Sequence, residues 1–399
     1  MKIPAPVAML PLVLSLALCL PVPLPAQSQA DLVKTGRVQL VAEARVSDDG
    51  LPEGVLFQNP RCLAVDAKGN VYVSDMDANH IKVFGPDGKF RAVIGRAGQG
   101  PGEMQGPTHL VVSGDKLVVW EVMNRRFSIL GLDGKFIKIA PAVHGGMGEL
   151  QALHVLADGR FVAVVERGLP DNFQGRLPDE RDEAVVLLSA ELAPVSTIFE
   201  RKIRNRAWTR HPETNGLIQI GFPYHPGLRA DVSPDGTIAA GTAQAYEIEL
   251  LDPDKGSKAV IKRAFQPIKL ENRDKEAHFG QFRMNVFAEG RKSVVFKAPD
   301  YVRQFTEFPD ALPPYRGMIY DGRGRLWVQL FTGDRANNVF DVFSPKGEYL
   351  NRVVLEGTAI DTTFTSPYEK AFVGDLLWRI EKDEDGYATL VKYRLTPAK

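Results

Sequence analysis

A short Asp/Gly turn signal recurs along this chain, and it constrains the fold more than any other feature. It reads Asp66-Ala67-Lys68-Gly69-Asn70, Ser113-Gly114-Asp115, Ala157-Asp158-Gly159, Ser233-Pro234-Asp235-Gly236, Asp321-Gly322-Arg323-Gly324 and Val373-Gly374-Asp375. Short runs rich in β-branched and aromatic residues follow, such as Val71-Tyr72-Val73, Leu117-Val118-Val119-Trp120, Phe161 to Val165 and Leu326-Trp327-Val328. Gly and Asp tolerate the tight backbone of a hairpin, so each signal marks one. A second turn follows in several units, at Gly85 to Phe90, Leu132 to Phe136 and Ser344 to Tyr349. The unit then has four strands. The first three turns recur about every 45 residues, the length of one propeller blade. A sandwich or barrel would not show this self-similarity. The expected fold is all-β, a six-bladed β-propeller of four-stranded antiparallel blades with one inserted helix.

Two gaps between turns are longer. Leu270 to Lys292 is polar and free of Pro, with Phe279, Phe282, Val286 and Phe287 at i, i+3, i+7, i+8 spacing, which predicts an amphipathic helix over about 270–292. Arg201 to Gly227 is an aromatic, basic, Pro-containing loop. Neither holds an Asp-Gly hairpin pair, so both read as insertions, after the third and fourth blades. Val38 to Val46 is a strand with no hairpin partner. Pairing it with the last unit, near Tyr387 to Leu395, would remove two exposed edges and lock the ring.

The N-terminus points to export. Lys2, the apolar run Val7 to Leu20 and the small residues Ser28 and Ala30 form a cleavable signal peptide over 1–30, leaving the propeller as 31–399. The run is shorter than the about 20 residues a membrane span needs. A secreted or periplasmic location follows. Leu16-Ala17-Leu18-Cys19 resembles a lipobox, the less favoured lipid-anchor reading, because Leu18 stands where a small residue belongs. Cys62 has no partner in the remaining chain, so no internal disulfide is expected. Lys+Arg and Asp+Glu both number 49, and no basic block stands out, which argues against nucleic acid as a partner. A monomer without a transmembrane segment is expected.

The segments Phe57 to Asp66 and Gly69 to Asp75 closely resemble an NHL repeat, and Ile94 to Met104 resembles the glycine-rich link between NHL blades. Phe308 to Met318, leading into Asp321 to Val328, is similar to bacterial exported six-bladed propeller proteins. The resemblance covers most of 31–395. It implies the fold strongly and a function weakly, because the scaffold hosts many activities.

Propellers place ligand sites where the innermost strands begin. Repeat alignment puts Arg61, His109, Leu153, Arg229 and Arg316 there, with His225 and Tyr315 close by. Three arginines at one mouth would bind an anion through forked hydrogen bonds. The plainer reading pairs each with a carboxylate of a neighbouring blade, such as Glu103 or Asp231. His80, His109, His144, His154, His211, His225 and His278 are scattered, without metal-ligand spacing. His109 and His225 are the best candidate ligands, but no metal or cofactor is expected. No nucleophile elbow, P-loop or dinucleotide fingerprint is present. Trp208, Phe222 and Tyr224 beside Arg204, Arg206, Arg210 and His211 have the composition of a protein interface, or of a loop packed over the ring.

The leading reading is therefore a binding or scaffold module for a protein, a peptide or an anionic small molecule. The alternative is a metal-dependent lyase or lactonase at the channel mouth, as other six-bladed propellers imply. A structural partner in an envelope assembly is the third reading. Whether the protein is an enzyme stays open at this point, since no catalytic motif is found.

Overall fold

The computed structural model describes residues 30–141, 148–167, 179–204, 207–210, 217–220, 222–280, 284–288, 291–295, 299–332, 338–356, 369–374, 376–383 and 386–398. Its strands form six blades, each an antiparallel sheet of four strands. Blade 1 runs Pro60–Val65, Val71–Asp75, His80–Phe84 and Phe90–Ile94; blade 2 runs Pro107–Ser113, Lys116–Glu121, Arg126–Gly131 and Phe136–Pro141. Blade 3 is Glu149–Val155, Phe161–Arg167, Glu180–Leu188 and Pro194–Arg204; blade 4 is Arg229–Val232, Ile238–Gly241, Glu247–Asp252 and Gly256–Lys262. Blade 5 is Tyr315–Tyr320, Leu326–Leu330, Asn338–Phe343 and Tyr349–Glu356. In blade 6, Lys370–Val373, Leu376–Lys382 and Ala388–Pro397 are completed by the N-terminal strand Arg37–Val46.

That last pairing closes the ring. Val38 lies opposite Pro397 and Val46 opposite Leu390, antiparallel. The first residues of the same strand also run parallel to blade 5, Arg37 opposite Val354. One strand thus covers edges of two blades that would otherwise offer unpaired backbone groups. Helix α1 (Ala30–Thr35) precedes it, buries Leu32 and Val33 in the core between blades 5 and 6, and accepts a hydrogen bond from Asn351 Nδ2 at the Val33 carbonyl (2.7 Å).

Each blade is covered on both faces by its neighbours, which explains why the second strands lack alternation. Val71–Asp75 and Leu326–Leu330 are buried at every position. The core is accordingly divided into six interfaces. Trp120, Phe127, Leu153 and Val186 join blades 2 and 3, while Val46, Leu63, Phe84 and Trp378 join blades 6 and 1. Only the outermost strands show solvent-facing side chains in number, as in Phe90–Ile94.

Repeated polar devices fix the chain at the blade corners. Asp66 Oδ1 accepts from the Lys68 and Asn70 N–H groups, and Asp321 Oδ1 does the same for Arg323 and Arg325. Gly69 and Gly324 take positive φ (82° and 74°) in these turns, where a side chain would be strained. Tyr72 Oη and Trp327 Nε1, six residues after each Asp, donate to the remaining carboxylate oxygen. At the opposite end, Asp75 accepts from Gln58 and Asn59 N–H (2.9 and 2.8 Å), and Glu121 accepts from Gln105 N–H (2.9 Å). Each ties the second strand of its blade to the segment that leads into the first. Each is matched to a cation, Lys82 Nζ at 2.6 Å and Arg126 Nε at 3.0 Å.

The insertions fall after blades 3 and 4, as the turn spacing indicates, but their contents differ from expectation. The first contains a hairpin, Ala207–Arg210 with Leu217–Ile220, where a loop was expected. In the second, helix α2 (Asn272–Gly280) ends at Gly280, and the chain returns as a hairpin, Met284–Ala288 with Arg291–Val295. The expected single helix over 270–292 is therefore a short helix plus two strands. Gly disfavours continuation of a helix, and Val286, Phe287, Val294 and Val295 favour strand geometry. A further helix α3 (Asp300–Phe305) follows before blade 5.

Candidate functional site

The innermost strands of all six blades surround a central cavity of about 340 Å³. It extends from Cys62, His109 and Lys370 to the hairpin turns at Ala157, Pro234 and Gly322. It therefore lies toward the far ends of these strands, away from the mouth that the repeat alignment singled out. Most of the lining residues are apolar, such as Leu63, Val112, Val155 and Ile319. Among them stand His109, His154, Asp231, Tyr320, Asp321 and Lys370.

Several of these groups bridge one blade to the next. Cys62 Sγ of blade 1 lies 3.6 Å from the Leu110 carbonyl of blade 2. The His109 ring of blade 2 donates to the Gln151 carbonyl of blade 3, and burial holds its pKa down at about 4. Asp231 Oδ2 of blade 4 accepts from the Tyr320 N–H of blade 5 (2.6 Å). Between them, His154 Nδ1 of blade 3 lies 3.5 Å from Asp231 Oδ1. Asp321 is neutralised locally, because Arg325 Nη2 sits 2.7 Å from its carboxylate.

The centre of interest is the group His154, Asp231, Tyr320 and Lys370. Burial lowers the pKa of His154 and raises that of Asp231, while His154 and Lys370 act in the other direction on the carboxyl. Tyr320 is pushed far up by burial and by the nearby Asp231. His154 Nε2 and Tyr320 Oη are buried with no hydrogen-bond partner among the described residues. Such groups are uncommon in folded proteins, because each costs about 1–3 kcal/mol when unsatisfied. Both belong to residues that line the one cavity.

Of the six ligand-binding candidates named from sequence, Arg61, His109, His225, Arg229, Tyr315 and Arg316, only His109 lines this cavity. Arg229 is buried and donates from Nε to the Arg316 carbonyl (2.7 Å) and from Nη1 to the Leu228 carbonyl (3.0 Å). Arg316 stacks its guanidinium on Phe331, 3.9 Å from the ring centroid. The structure thus brings Arg229 and Arg316 together, but Arg61 is exposed on blade 1 and its charge acts on His109 and Cys62. The expected carboxylate partners are engaged otherwise, Glu103 by Arg96 (3.0 Å) and Asp231 by His154. Tyr315 is buried between blades 4 and 5, accepting from Ala243 N–H (3.0 Å) beside Gly241, where any side chain would collide with its hydroxyl. His225 lies on the first insertion, its ring 5.4 Å from that of Phe222. His144 and His211 lie outside the described residues. Among the described residues, no three His, Cys, Asp or Glu side chains are grouped to hold a metal ion.

Tyr320 and Lys370 escaped the sequence reading, in which His154 figured only among the scattered histidines and Asp231 only as a partner for an arginine. His154 and Asp231 are polar residues inside innermost strands of apolar neighbours, Leu153-His154-Val155 and Ala230-Asp231-Val232. That pattern was a usable signal once the inner strands were placed.

Residues 52–140, which span blades 1 and 2, match the family described as "6-bladed beta-propeller". No curated protein matches the chain. Among solved structures, a Bacteroides fragilis protein described as exported is 10% identical, with 91% of this chain and 99% of that one covered at a TM-score of 0.47. A gluconolactonase from Xanthomonas campestris is 16% identical, covering 89% and 99% at 0.43. Virginiamycin B lyase from Staphylococcus aureus is 13% identical, covering 88% and 99% at 0.40. Likeness at this level carries no activity across, and the site here rests on its own residues.

Proposed function

We propose that this protein is an exported, NHL-like propeller that binds a small polar molecule in its central channel. His154 and Tyr320 carry this reading, because both residues line the cavity and each has a buried polar atom, Nε2 and Oη, with no partner among the described residues. A ligand that bonds to both would relieve two unsatisfied groups on binding. The volume of about 340 Å³ suits a small molecule better than a peptide, which narrows the classes that composition left open. Export rests on the apolar N-terminal segment. In keeping with it, no helix among the described residues is long and apolar enough to cross a membrane.

A second reading is favoured by one contact. A carboxylate beside an imidazole, as Asp231 is beside His154, orients the ring as a general base. The same cavity would then host acid–base chemistry, with the Tyr320 hydroxyl as a proton donor.

The test is a thermal-shift and calorimetric screen of small acids, amines, sugars and lactones against the purified protein and Tyr320→Phe. A compound that stabilises the wild type and binds Tyr320→Phe at least about fivefold more weakly supports channel binding, since a hydrogen bond to a buried ligand is worth about 1 kcal/mol. Ligands that bind both proteins equally would place the site elsewhere. Turnover of a bound lactone or ester, lost in His154→Gln, would favour the enzyme.

A further inference from the structure

We propose that His80 is an acid-responsive switch in the corner of blade 1, which frees the turn Met76 to Asn79 from two neighbouring segments when the ring takes up a proton. The switch lies at the end of the blade opposite the Asp66 turn and does not depend on what the channel binds.

Two contacts define the resting state. Lys82 Nζ sits 2.6 Å from Asp75 Oδ2, and neither side chain is exposed. The same Nζ lies 3.1 Å from His80 Nε2. An ammonium has donors only, so this second contact is a hydrogen bond only while Nε2 offers a lone pair. His80 is therefore neutral, with its proton on Nδ1. A proton added at Nε2 sets two donors and two cations against each other. Lys82 cannot withdraw, because it would leave a buried carboxylate alone. The half-buried His80 ring must move instead. Burial and Lys82 both hold the His80 pKa below its ordinary value near 6.5, while Asp75 opposes them.

The turn beside this ring holds two segments. Met76 N–H donates to the Asn59 carbonyl (3.0 Å) and Asn59 Nδ2 donates to Asp77 Oδ1 (3.2 Å), which fixes the segment entering blade 1. Asn79 Oδ1 accepts from the Gly106 N–H (2.9 Å), which fixes the connector entering blade 2. Blade 2 has the same corner without the switch. Glu121 lies opposite Arg126 in register, as Asp75 lies opposite His80. Arg126 Nε donates to Glu121 (3.0 Å), and its Nη groups donate to the Gln99 and Glu103 carbonyls (2.8 and 3.1 Å). An arginine keeps its charge throughout the physiological range, so that corner does not respond to acid. Blade 1 places its cation at Lys82 and a titratable ring where blade 2 has the arginine. The charges acting on His80 are Lys82 on its own strand and Asp75 on the strand beside it. Asp77 in the turn is engaged by Asn59, Glu103 of the connector by Arg96 (3.0 Å), and Phe57 to Asn59 carry no charge.

The experiment is NMR of the purified protein and of His80→Gln, whose side-chain oxygen can accept from Lys82 without titrating. At neutral pH the ring ¹⁵N shifts should show Nε2 of His80 unprotonated, with titration below 6.5. The contribution of the neutral ring is complete above 6.5 and is lost as pH falls through its lowered value. Amide protection at Met76 and Gly106, corrected for the intrinsic effect of pH on exchange, should therefore fall below 6.5 by up to about tenfold per pH unit. Lys68 and Asn70, at the Asp66 end of the blade, should keep their protection, and His80→Gln should keep it at all four amides. A proton on Nε2 at neutral pH overturns the proposal whether or not the variant folds. Unchanged protection of Met76 and Gly106 through the titration of His80 overturns it too. So does an equal loss in His80→Gln, or a loss spread evenly over the blade, since either assigns the effect to other groups.

Discussion

His154 of blade 3 and Asp231 of blade 4 meet across a blade seam, Nδ1 to Oδ1 at 3.5 Å, in the wall of the central channel. Burial lowers the histidine and raises the aspartate, and each is the other's nearest opposing influence. For a histidine lowered below its ordinary value near 6.5, the neutral form holds down to more acid pH than in the unfolded chain. His154 should therefore titrate below 6.5 in the unliganded protein, as read from its ring ¹⁵N shifts. Titration above 6.5 would mean that Asp231 outweighs burial and that the resting pair is ionic.

His109 makes the protein acid-sensitive. Its pKa is about 4 in the folded chain against about 6.5 unfolded, so its stabilising contribution is complete above 6.5 and is lost as pH falls through 4. The difference corresponds to about 3 kcal/mol. Urea unfolding at pH 7 and pH 4 should show a loss of this order, reduced in His109→Gln, which retains a donor for the Gln151 carbonyl. An equal loss in both proteins would assign acid sensitivity to other groups.

The Asp75–Lys82 pair has no exposure on either side chain, and Asp75 also holds the Gln58 and Asn59 N–H groups. Removing one member of such a pair leaves a buried charge, at a cost of about 3–5 kcal/mol. Lys82→Ala and Asp75→Ala should each lower unfolding stability by this amount. A change below about 1 kcal/mol in either would show that water compensates the remaining group.

Cys62 is buried between blades 1 and 2, and burial pushes its thiol up to about 12. The thiolate is the reactive form, so the native protein should resist iodoacetamide at pH 8 over hours and react promptly in urea. Prompt labelling of the native protein would indicate that the channel wall opens.

The architecture was legible because propeller repeats write the same local physics several times. Asp66 and Asp321 show it, since each forms the turn that its Asp/Gly signal announces, with the same two backbone donors. Closure by the N-terminal strand followed from its lack of a hairpin partner. The second insertion was misread because a helical spacing of Phe and Val in one stretch is equally compatible with a helix turn followed by a hairpin. The site was harder. Repeat alignment found the inner strands but not which residues meet between them. Arg229 looked like a ligand group and instead donates to backbone carbonyls, whereas Asp231, two residues on, reaches into the channel wall.

The central claim is that His154, Asp231, Tyr320 and Lys370 form a ligand site in the channel. It is tested most directly by a high-resolution crystal structure of the protein with the tightest compound from the screen. The account requires that compound inside the ring, with polar atoms within about 3 Å of Tyr320 Oη and His154 Nε2. Density for it only on the insertions or outer strands, with the channel unchanged, would contradict the account.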